Sequence, residues 1–365
     1  EYKTQFINLP DLVAENPTTK SRGVFTNKKL LYTGSIIALL LIGYFVIQPM
    51  ITENNPLGNS IAVLPFKDLS PEDAQWFSDG VSDNILHSLA QMKDLSVISF
   101  TSSSTYRDTD KQIPEIADEL GVSYILEGSV TLYEDNIKII AQLIDSNDNH
   151  VWSKEYTESF DNVIAIQNNV AQQVMKQLEI TLSTNDINVL DKYPTNNMEA
   201  YHLYLEGRLI NQSRKNDDLI KNIEYNKKAI ALDSNFVDAY AEVAATNMIF
   251  AVNNQVSGNH KWVKEATYFV DKALEIDPNS AKANAVKARI LLGNDWEKCK
   301  EYFNKAISLN PNDAESRNWY SFYFLRAEKP DIKQALKQAT IANNLSPFSS
   351  VIATRYIWTL ILNEK

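Results

Sequence analysis

An internal repeat in the second half of the chain constrains the fold more than any other feature of the sequence. Four segments of one pattern lie between residues 227 and 354, and each carries an alanine at the same place, namely Ala229, Ala273, Ala306 and Ala339. The last two intervals are 33 residues and the first is 44. A unit of about 34 residues is typical of a helix pair that buries its apolar face only against its neighbours. This part of the chain therefore predicts stacked helix pairs.

Prolines mark the helix ends in two of the four units. Pro278 and Pro311 lie five residues after their alanines, and Ser234 and Asn344 hold the equivalent positions in the other two units. This spacing resembles the tetratricopeptide pattern, so we predict an all-α tetratricopeptide solenoid over residues 199–365.

The first helices of such pairs line a concave groove, where side chains that are not needed for packing are available to a partner. The expected partner is a protein or a peptide. The repeat register predicts that the groove is lined by Tyr204, Arg208, Asn247, Lys287, Asn318 and Phe322.

Short apolar runs alternate with helical patterns in residues 60–182, in the order β-α-β-α-β-β-β-α. Ser70 and Pro71 suit the start of the first helix, and Gly121 suits the end of the second. The polar residues at 134–136 separate two β-rich runs and predict a hairpin. The expected fold is an α/β domain with a mixed sheet.

Three stretches carry a family resemblance: "IAVLPFKDLS…WFSDGVSDNILHSLAQMKDLSVIS", "IADELGVSYILEGSVTLYEDNIKIIAQLID" and "HVWSKEYTESFDNVIAIQNNVAQQV". They occur in this order over residues 60–180, and the region resembles the TolB-like N-terminal domain. That domain occurs in bacterial signalling and secretion proteins, often ahead of tetratricopeptide repeats. The resemblance implies an interaction or sensing module without an established catalytic centre.

Residues 30–48 form an uncharged apolar run. As a helix these residues would span roughly 28 Å, about the hydrocarbon thickness of a bilayer. Basic residues precede the run, and the next one after it is Lys67, so the positive-inside rule predicts a cytoplasmic N-terminus. We expect a single-pass bacterial inner-membrane protein with residues 51–365 in the periplasm. A cleaved signal peptide is disfavoured because a polar stretch of 29 residues comes first and no small-residue cleavage site follows.

The chain lacks an initiator Met and stops inside a helical pattern, so we expect a fragment of a longer protein. The predicted organisation is a cytoplasmic linker at residues 1–29, a transmembrane helix at 30–49, a linker at 50–59, the α/β domain at 60–182, a linker at 183–198 and the repeats at 199–365.

Candidate catalytic residues are scattered. The four histidines, His87, His150, His202 and His260, lie in different predicted elements. His202 and Glu206 are one helical turn apart, but a third metal ligand is not apparent. No metal site is therefore expected. No cofactor is expected either, since the phosphate-binding motifs G-x-x-x-x-G-K-[ST] and G-x-G-x-x-G are missing from the sequence, as is the nucleophile motif G-x-S-x-G.

Other polar positions have simple structural interpretations. Glu72, Asp79 and Asp83 could serve acid–base chemistry, but a polar helix face explains them better. The hydroxyl-rich loop at residues 99–108 could bind a small anion through its arginine, and closure on the sheet is the simpler interpretation. Cys299 is expected to be a small buried side chain.

The function expected from these features is binding. The formal net charge of −11 disfavours nucleic-acid binding by this chain. In architectures that it resembles, the cytoplasmic end carries a nucleotidyl cyclase or a winged-helix DNA-binding domain of the CadC type. The sequence thus leaves open a membrane sensor with either output, a membrane adenylyl or guanylyl cyclase, and an envelope assembly scaffold. Homodimer formation also stays open.

Overall fold

The computed structural model describes residues 58–134, 136–210, 215–253 and 260–364. They belong to one compact unit, Pro56–Lys365. The predicted membrane segment at residues 30–48 lies outside the described residues. Within the described ranges, no helix combines the length and apolarity needed to cross a membrane.

A mixed sheet forms the centre of the first region. In the described part of the chain six strands build it, namely β1 (Ser60–Val63), β2 (Lys67–Asp68), β3 (Ser96–Val97), β4 (Tyr124–Tyr133), β5 (Asn136–Asp145) and β6 (His150–Ser159). Their order is β3-β1-β4-β5-β6, and β2 pairs with β4. Strand β1 is parallel to both β3 and β4, whereas β4, β5 and β6 form an antiparallel meander. The predicted mixed sheet and the hairpin between β4 and β5 are confirmed.

Helices cover both faces of this sheet. They are α1 (Gln75–Ala90), α2 (Phe100–Ser103), α3 (Ile113–Leu120) and α4 (Val163–Gln177). Alternation along β1 explains the two layers, because successive side chains of a strand point to opposite faces. Ile61 and Val63 belong to the core that contains residues of α1 and α4, while Ala62 and Leu64 pack with α3. Gly121 ends α3 in the left-handed conformation, as predicted.

The start of α1 differs from the prediction. The helix begins at Gln75 rather than near Ser70, and its N-cap residue Ala74 has no side-chain cap. Asp68 fixes the segment that leads into the helix. Its carboxylate accepts hydrogen bonds from the backbone N–H of Ser70 at 3.0 Å and of Ala74 at 2.8 Å. The Ser70 hydroxyl accepts instead from Leu132 N–H at 2.9 Å, which ties the segment to β4. The prediction of Ser70 as a helix cap is therefore wrong.

A short helix, α5 (Thr184–Leu190), lies in the stretch predicted as a linker. Ser183 and Asp186 form a capping box at its start, since each side chain bonds the backbone N–H of the other. The repeats follow as α6 (Met198–Ile210), α7 (Asn216–Leu232), α8 (Val237–Asn253), α9 (Lys261–Ile276), α10 (Ala281–Leu291), α11 (Trp296–Leu309), α12 (Ala314–Arg326), α13 (Ile332–Leu345) and α14 (Ser350–Asn363).

These helices form antiparallel pairs, which confirms the helical-repeat architecture. The aligned alanines lie in the second helices α7, α9, α11 and α13, and each is at most 1% exposed. Gly207 of α6 shows the same requirement for a small residue, because a Cβ there would lie 2.6 Å from the amide nitrogen of Asn226. Small side chains at these positions let the helices of a pair approach closely.

Candidate partner-binding groove

The first helices of the pairs form the inner side of the repeat region. These helices are α6, α8, α10, α12 and α14, and contacts join α8 to α10, α10 to α12 and α12 to α14. Their side chains therefore line the surface on which the sequence predicts partner binding.

The α/β domain occupies the beginning of this surface. Arg208 of α6 forms an ion pair with Asp83 of α1, with 2.7 Å between nitrogen and oxygen. Tyr201 of α6 is 1% exposed, and its hydroxyl accepts from Asn84 at 2.5 Å and donates to Gln167 of α4 at 2.8 Å. We call this contact between the two regions the docking seam.

The docking seam extends to the loop before α12. The Asn312 amide group donates to the backbone carbonyls of Ala90, Met92 and Leu95, at 3.0, 3.2 and 2.8 Å, and its oxygen accepts from Val97 N–H at 3.3 Å. One side chain thus satisfies backbone groups at the end of α1 and the start of β3.

A third part of the docking seam lies at the loop between α13 and α14. Ser99 donates from its backbone N–H to Leu345 O at 2.7 Å and from its hydroxyl to Ser346 Oγ at 2.7 Å. Ser102 Oγ accepts from Phe348 N–H at 3.2 Å. The hydroxyl-rich stretch at residues 99–108 is therefore used for docking to the repeats.

One of the six predicted groove residues belongs to the docking seam, and a second is buried next to it. Tyr204 is 5% exposed and packs against Phe236, with 5.0 Å between the ring centroids. Arg208 is held by Asp83. Burial opposes the charge on Arg208, but Asp83 and neighbouring groups outweigh it and raise the pKa of the guanidinium. Arg208 therefore contacts the α/β domain, and Tyr204 packs within the repeat region.

Two others are engaged within the repeats. Asn247 is fully buried and donates to Val243 O at 2.8 Å. Lys287 forms an ion pair with Asp271 of α9, with 2.5 Å between nitrogen and oxygen. Both side chains therefore have partners within the repeat region itself.

Asn318 and Phe322 lie one turn apart on α12. Asn318 is 5% exposed, and its side-chain oxygen has no hydrogen-bond donor among the described residues. Phe322 is partly buried, and three guanidinium groups surround its ring. The distances from Cζ to the ring centroid are 5.8 Å for Arg289, 5.7 Å for Arg326 and 4.3 Å for Arg355.

Trp358 of α14 completes this group, since its ring centroid lies 5.7 Å from Cζ of Arg355 and its side chain is 48% exposed. We call Arg289, Phe322, Arg326, Arg355 and Trp358 the arginine–aromatic cluster. In the described part of the chain none of its three arginines has a carboxylate within ion-pair distance.

Burial and mutual repulsion act on these charges. Burial lowers the pKa of the Arg289 and Arg355 guanidinium groups, and the charge of Arg289 lowers that of Arg355 further. The Nε of Arg355 is buried and has no acceptor among the described residues. An anion placed between these side chains would therefore be attracted by more than one positive charge.

The sequence contains a signal for this cluster, although Phe322 is its only member among the six predicted groove residues. Arg289 and Phe322 each lie 11 residues after the proline of their unit, Pro278 and Pro311. They therefore occupy equivalent positions on successive first helices and become neighbours when the pairs stack. The sequence alone does not distinguish these arginines from other basic residues, because the lack of nearby carboxylates is visible only in the structure.

The acidic residues of the first helix are not on a solvated face. Asp79 and Asp83 are each 7% exposed. Asp79 pairs with Arg107 at 2.6 Å, and burial raises the pKa of its carboxyl although Arg107 acts in the opposite direction. Asp79 and Asp83 do share one polar face of α1, but Arg107 and Arg208 cover that face, so it is buried rather than solvated.

The histidines and the cysteine are placed separately. His202 stacks on Trp76 with 3.9 Å between the ring centroids, and its Nε2 is 3.7 Å from Glu206. Cys299 is fully buried and donates to Ala288 O at 3.2 Å, and burial raises the pKa of its thiol to about 12. Cys299 is thus the small buried side chain that was predicted. In the described ranges no group of three or more His, Cys, Asp or Glu side chains could hold a metal ion.

Comparison with known proteins gives one family match. Residues 57–179 match the family described as HilA/YgeH-like transcriptional regulator, second domain. The matched stretch is the α/β region with its sheet and helices α1 to α4.

Comparison with curated proteins gives a longer match. The chain is 26% identical over 241 residues to "Putative adenylate cyclase 3" of Rhizobium meliloti (strain 1021). The match covers 65% of this chain and 40% of that protein, so the chain spans less than half the length of this relative.

Two solved structures resemble parts of the molecule. A thermophilic TPR protein of Thermus thermophilus aligns over 54% of this chain and 92% of its own, with a TM-score of 0.37 and 15% identity. TolB from Acinetobacter baumannii aligns over 33% of this chain and 28% of its own, with a TM-score of 0.26 and 14% identity. Both likenesses are partial.

Proposed function

We propose that this chain is the partner-binding part of a bacterial membrane signalling protein. The observation that carries the proposal is that the α/β domain and the repeats are joined by a docking seam, while an arginine–aromatic cluster stays without a carboxylate partner, among the described residues, on the inner face of the later repeats. A partner that binds there contacts a surface that is coupled to the α/β domain through α12 and Asn312.

The docked arrangement suits a sensor. Repeat arrays change curvature through small rotations between neighbouring units. Because the α/β domain touches both α6 and the loops before α12 and α14, such a change would alter the docking seam. Partner binding and the position of the α/β domain are thereby linked.

The direct test is to measure how accessible the docking seam is to a thiol reagent. We expect Ser99→Cys, with Cys299→Ser as background, to react with a thiol reagent slowly in the resting protein and at a changed rate when a partner is bound. An unchanged rate at saturating partner would contradict the linkage, and Ser308→Cys on the exposed side of α11 serves as the control for general accessibility.

The membrane topology is part of the proposal. Residues 30–48 would anchor the chain in the inner membrane with a cytoplasmic N-terminus and a periplasmic α/β domain and repeats. Alkaline phosphatase fused after residue 60 should be active, and the same fusion placed at residue 25 should not. An inactive first fusion, expressed at the same level, would leave a binding scaffold without the proposed orientation.

Two outputs are supported by separate comparisons. The relative named as an adenylate cyclase favours nucleotide cyclisation, and the matched regulator family favours transcription control. The intact gene product, expressed in a host that lacks adenylate cyclase, should restore cyclic AMP in the first case. In the second case it should leave cyclic AMP unchanged and alter transcription in a manner that depends on the groove.

A further inference from the structure

The arginine–aromatic cluster has an electrostatic arrangement that the fold does not need. The chain has 46 acidic and 35 basic residues, so carboxylates are plentiful. Nevertheless the described residues place none of them against Arg289, Arg326 or Arg355, whereas Arg208 and Lys287 each have one. Arg289 and Arg355 are partly buried, whereas Arg326 is exposed. Partly buried like charges without partners destabilise a folded chain, so an anion bound between Arg289 and Arg355 would stabilise this region.

The cluster also offers apolar surface. The Trp358 side chain is 48% exposed, and Phe322 lies between the three guanidinium groups. Arginine side chains over aromatic rings form a platform on which a further flat or apolar group can stack. A ligand with charge alone would leave this surface unused.

We propose that the arginine–aromatic cluster binds a peptide segment of the partner in which a carboxylate lies next to an aromatic or large apolar side chain. The carboxylate would lie between Arg289 and Arg355, and the apolar side chain against Trp358. This inference rests on the proposed function, since it names the chemistry of the partner that the groove takes.

The first experiment selects ligands without assuming a sequence. A randomised decapeptide library displayed on phage is panned against the 365-residue chain, purified in a mild non-ionic detergent because of the apolar run at residues 30–48. We expect enrichment of Asp or Glu beside Trp, Phe or Leu. The same selection on Arg289→Gln/Arg355→Gln should lose this enrichment. Selection of peptides without acidic residues, or of no peptides, would overturn the inference.

The second experiment measures the charge directly. The selected peptide, labelled with fluorescein and amidated at its C-terminus, is titrated by fluorescence anisotropy. Replacing its acidic residue with the neutral amide, or using Arg289→Gln/Arg355→Gln, should weaken binding about tenfold or more, as expected for a hydrogen-bonded charge pair. Raising the salt from about 0.1 to 1 M, which shortens the Debye length from about 10 to 3 Å, should weaken it as well.

The matched control changes the same amount of charge elsewhere. Lys333 and Lys337 are exposed on the second helix α13, so Lys333→Gln/Lys337→Gln should bind as the unchanged chain does. Equal thermal midpoints of the two double variants would show that lost binding is not lost folding. Equal loss in both would mean that only net charge matters and would overturn the site.

Two further arms separate the sources of the anion. A version of the peptide with phosphoserine in place of the acidic residue, and inorganic phosphate as a competitor, should not bind more tightly than the carboxylate form. Tighter binding of either would reassign the cluster to phosphate. Peptide binding that persists in Arg289→Gln/Arg355→Gln would refute the carboxylate site while leaving the proposed partner-binding function intact.

Discussion

The two ends of the repeat surface carry the same residue type in opposite circumstances. At the first helix, Arg208 is held by Asp83 at 2.7 Å in the docking seam. At the later helices, Arg289 and Arg355 surround Phe322 and have no carboxylate partner among the described residues. Position in a repeat array therefore does not by itself determine the role of an arginine. Its partners decide whether it stabilises the fold or remains available for a ligand.

The largest effect is expected from breaking the docking seam at its ion pair. Arg208→Gln leaves the buried carboxylate of Asp83 without its partner, and removal of one member of a buried pair costs about 3–5 kcal/mol. Urea unfolding should show this loss in the free energy of unfolding. The double variant Arg208→Gln/Asp83→Asn should lose clearly less than the two single losses together, and strict additivity would contradict a direct interaction.

Asn312 should come next. Its replacement by Ala removes the donor for three backbone carbonyls and the acceptor for Val97 N–H, so we expect a loss of about 3 kcal/mol in the free energy of unfolding. Asn279 holds the equivalent position in the preceding loop and is exposed. Asn279→Ala should change stability within about ±0.5 kcal/mol. Equal effects of the two substitutions would remove Asn312 from the docking seam.

The pH dependence of stability should reveal the same region. Burial lowers the pKa of His87 to about 4, with Arg208 and Lys282 acting in the same direction and Asp83 and Asp313 against it. The unfolded chain therefore binds a proton more readily than the folded chain. Stability is retained above about pH 6.5, the ordinary pKa of histidine, and falls as the pH drops towards 4, by on the order of 2 kcal/mol.

The measurement for His87 is a difference between variants. Unfolding free energies of the unchanged chain and of His87→Gln are compared from about pH 7.5 to 4.5, and the loss below about pH 6.5 should shrink in the variant. An identical profile for His87→Gln would show that this side chain does not titrate at the docking seam.

The smallest effect on stability is expected at Arg355 of the arginine–aromatic cluster. Arg355→Gln makes the same chemical change as Arg208→Gln at the other end of the surface. Because it removes a charge that has only like-charged neighbours in the described structure, we expect stability to change within about ±0.5 kcal/mol or to rise slightly. A loss similar to that of Arg208→Gln, in thermal and urea unfolding, would give Arg355 a structural role.

Much of the architecture could be predicted from local patterns. The alanine period, the Gly121 helix end and the hairpin between β4 and β5 each depend on a few neighbouring residues whose preferences agree with the fold. The start of α1 could not be predicted in this way. Ser70 suits a helix cap by its residue type, but its hydroxyl accepts from Leu132 in β4, and the helix begins only at Gln75.

A mixed α/β region followed by helix pairs can be predicted from the sequence, because periodicity and small residues act over one or two turns or strands. It also predicted Asn318 and Phe322 as groove residues. The tertiary structure is needed to see that Asp83 of α1 is buried against α6 and that Tyr201 of α6 is buried against the α/β domain. It is also needed to see that Arg289 and Arg355 both lie beside Phe322, with no carboxylate partner among the described residues. The physical reason is that charge pairing depends on distances between elements far apart in the chain, and local sequence spacing does not report those distances.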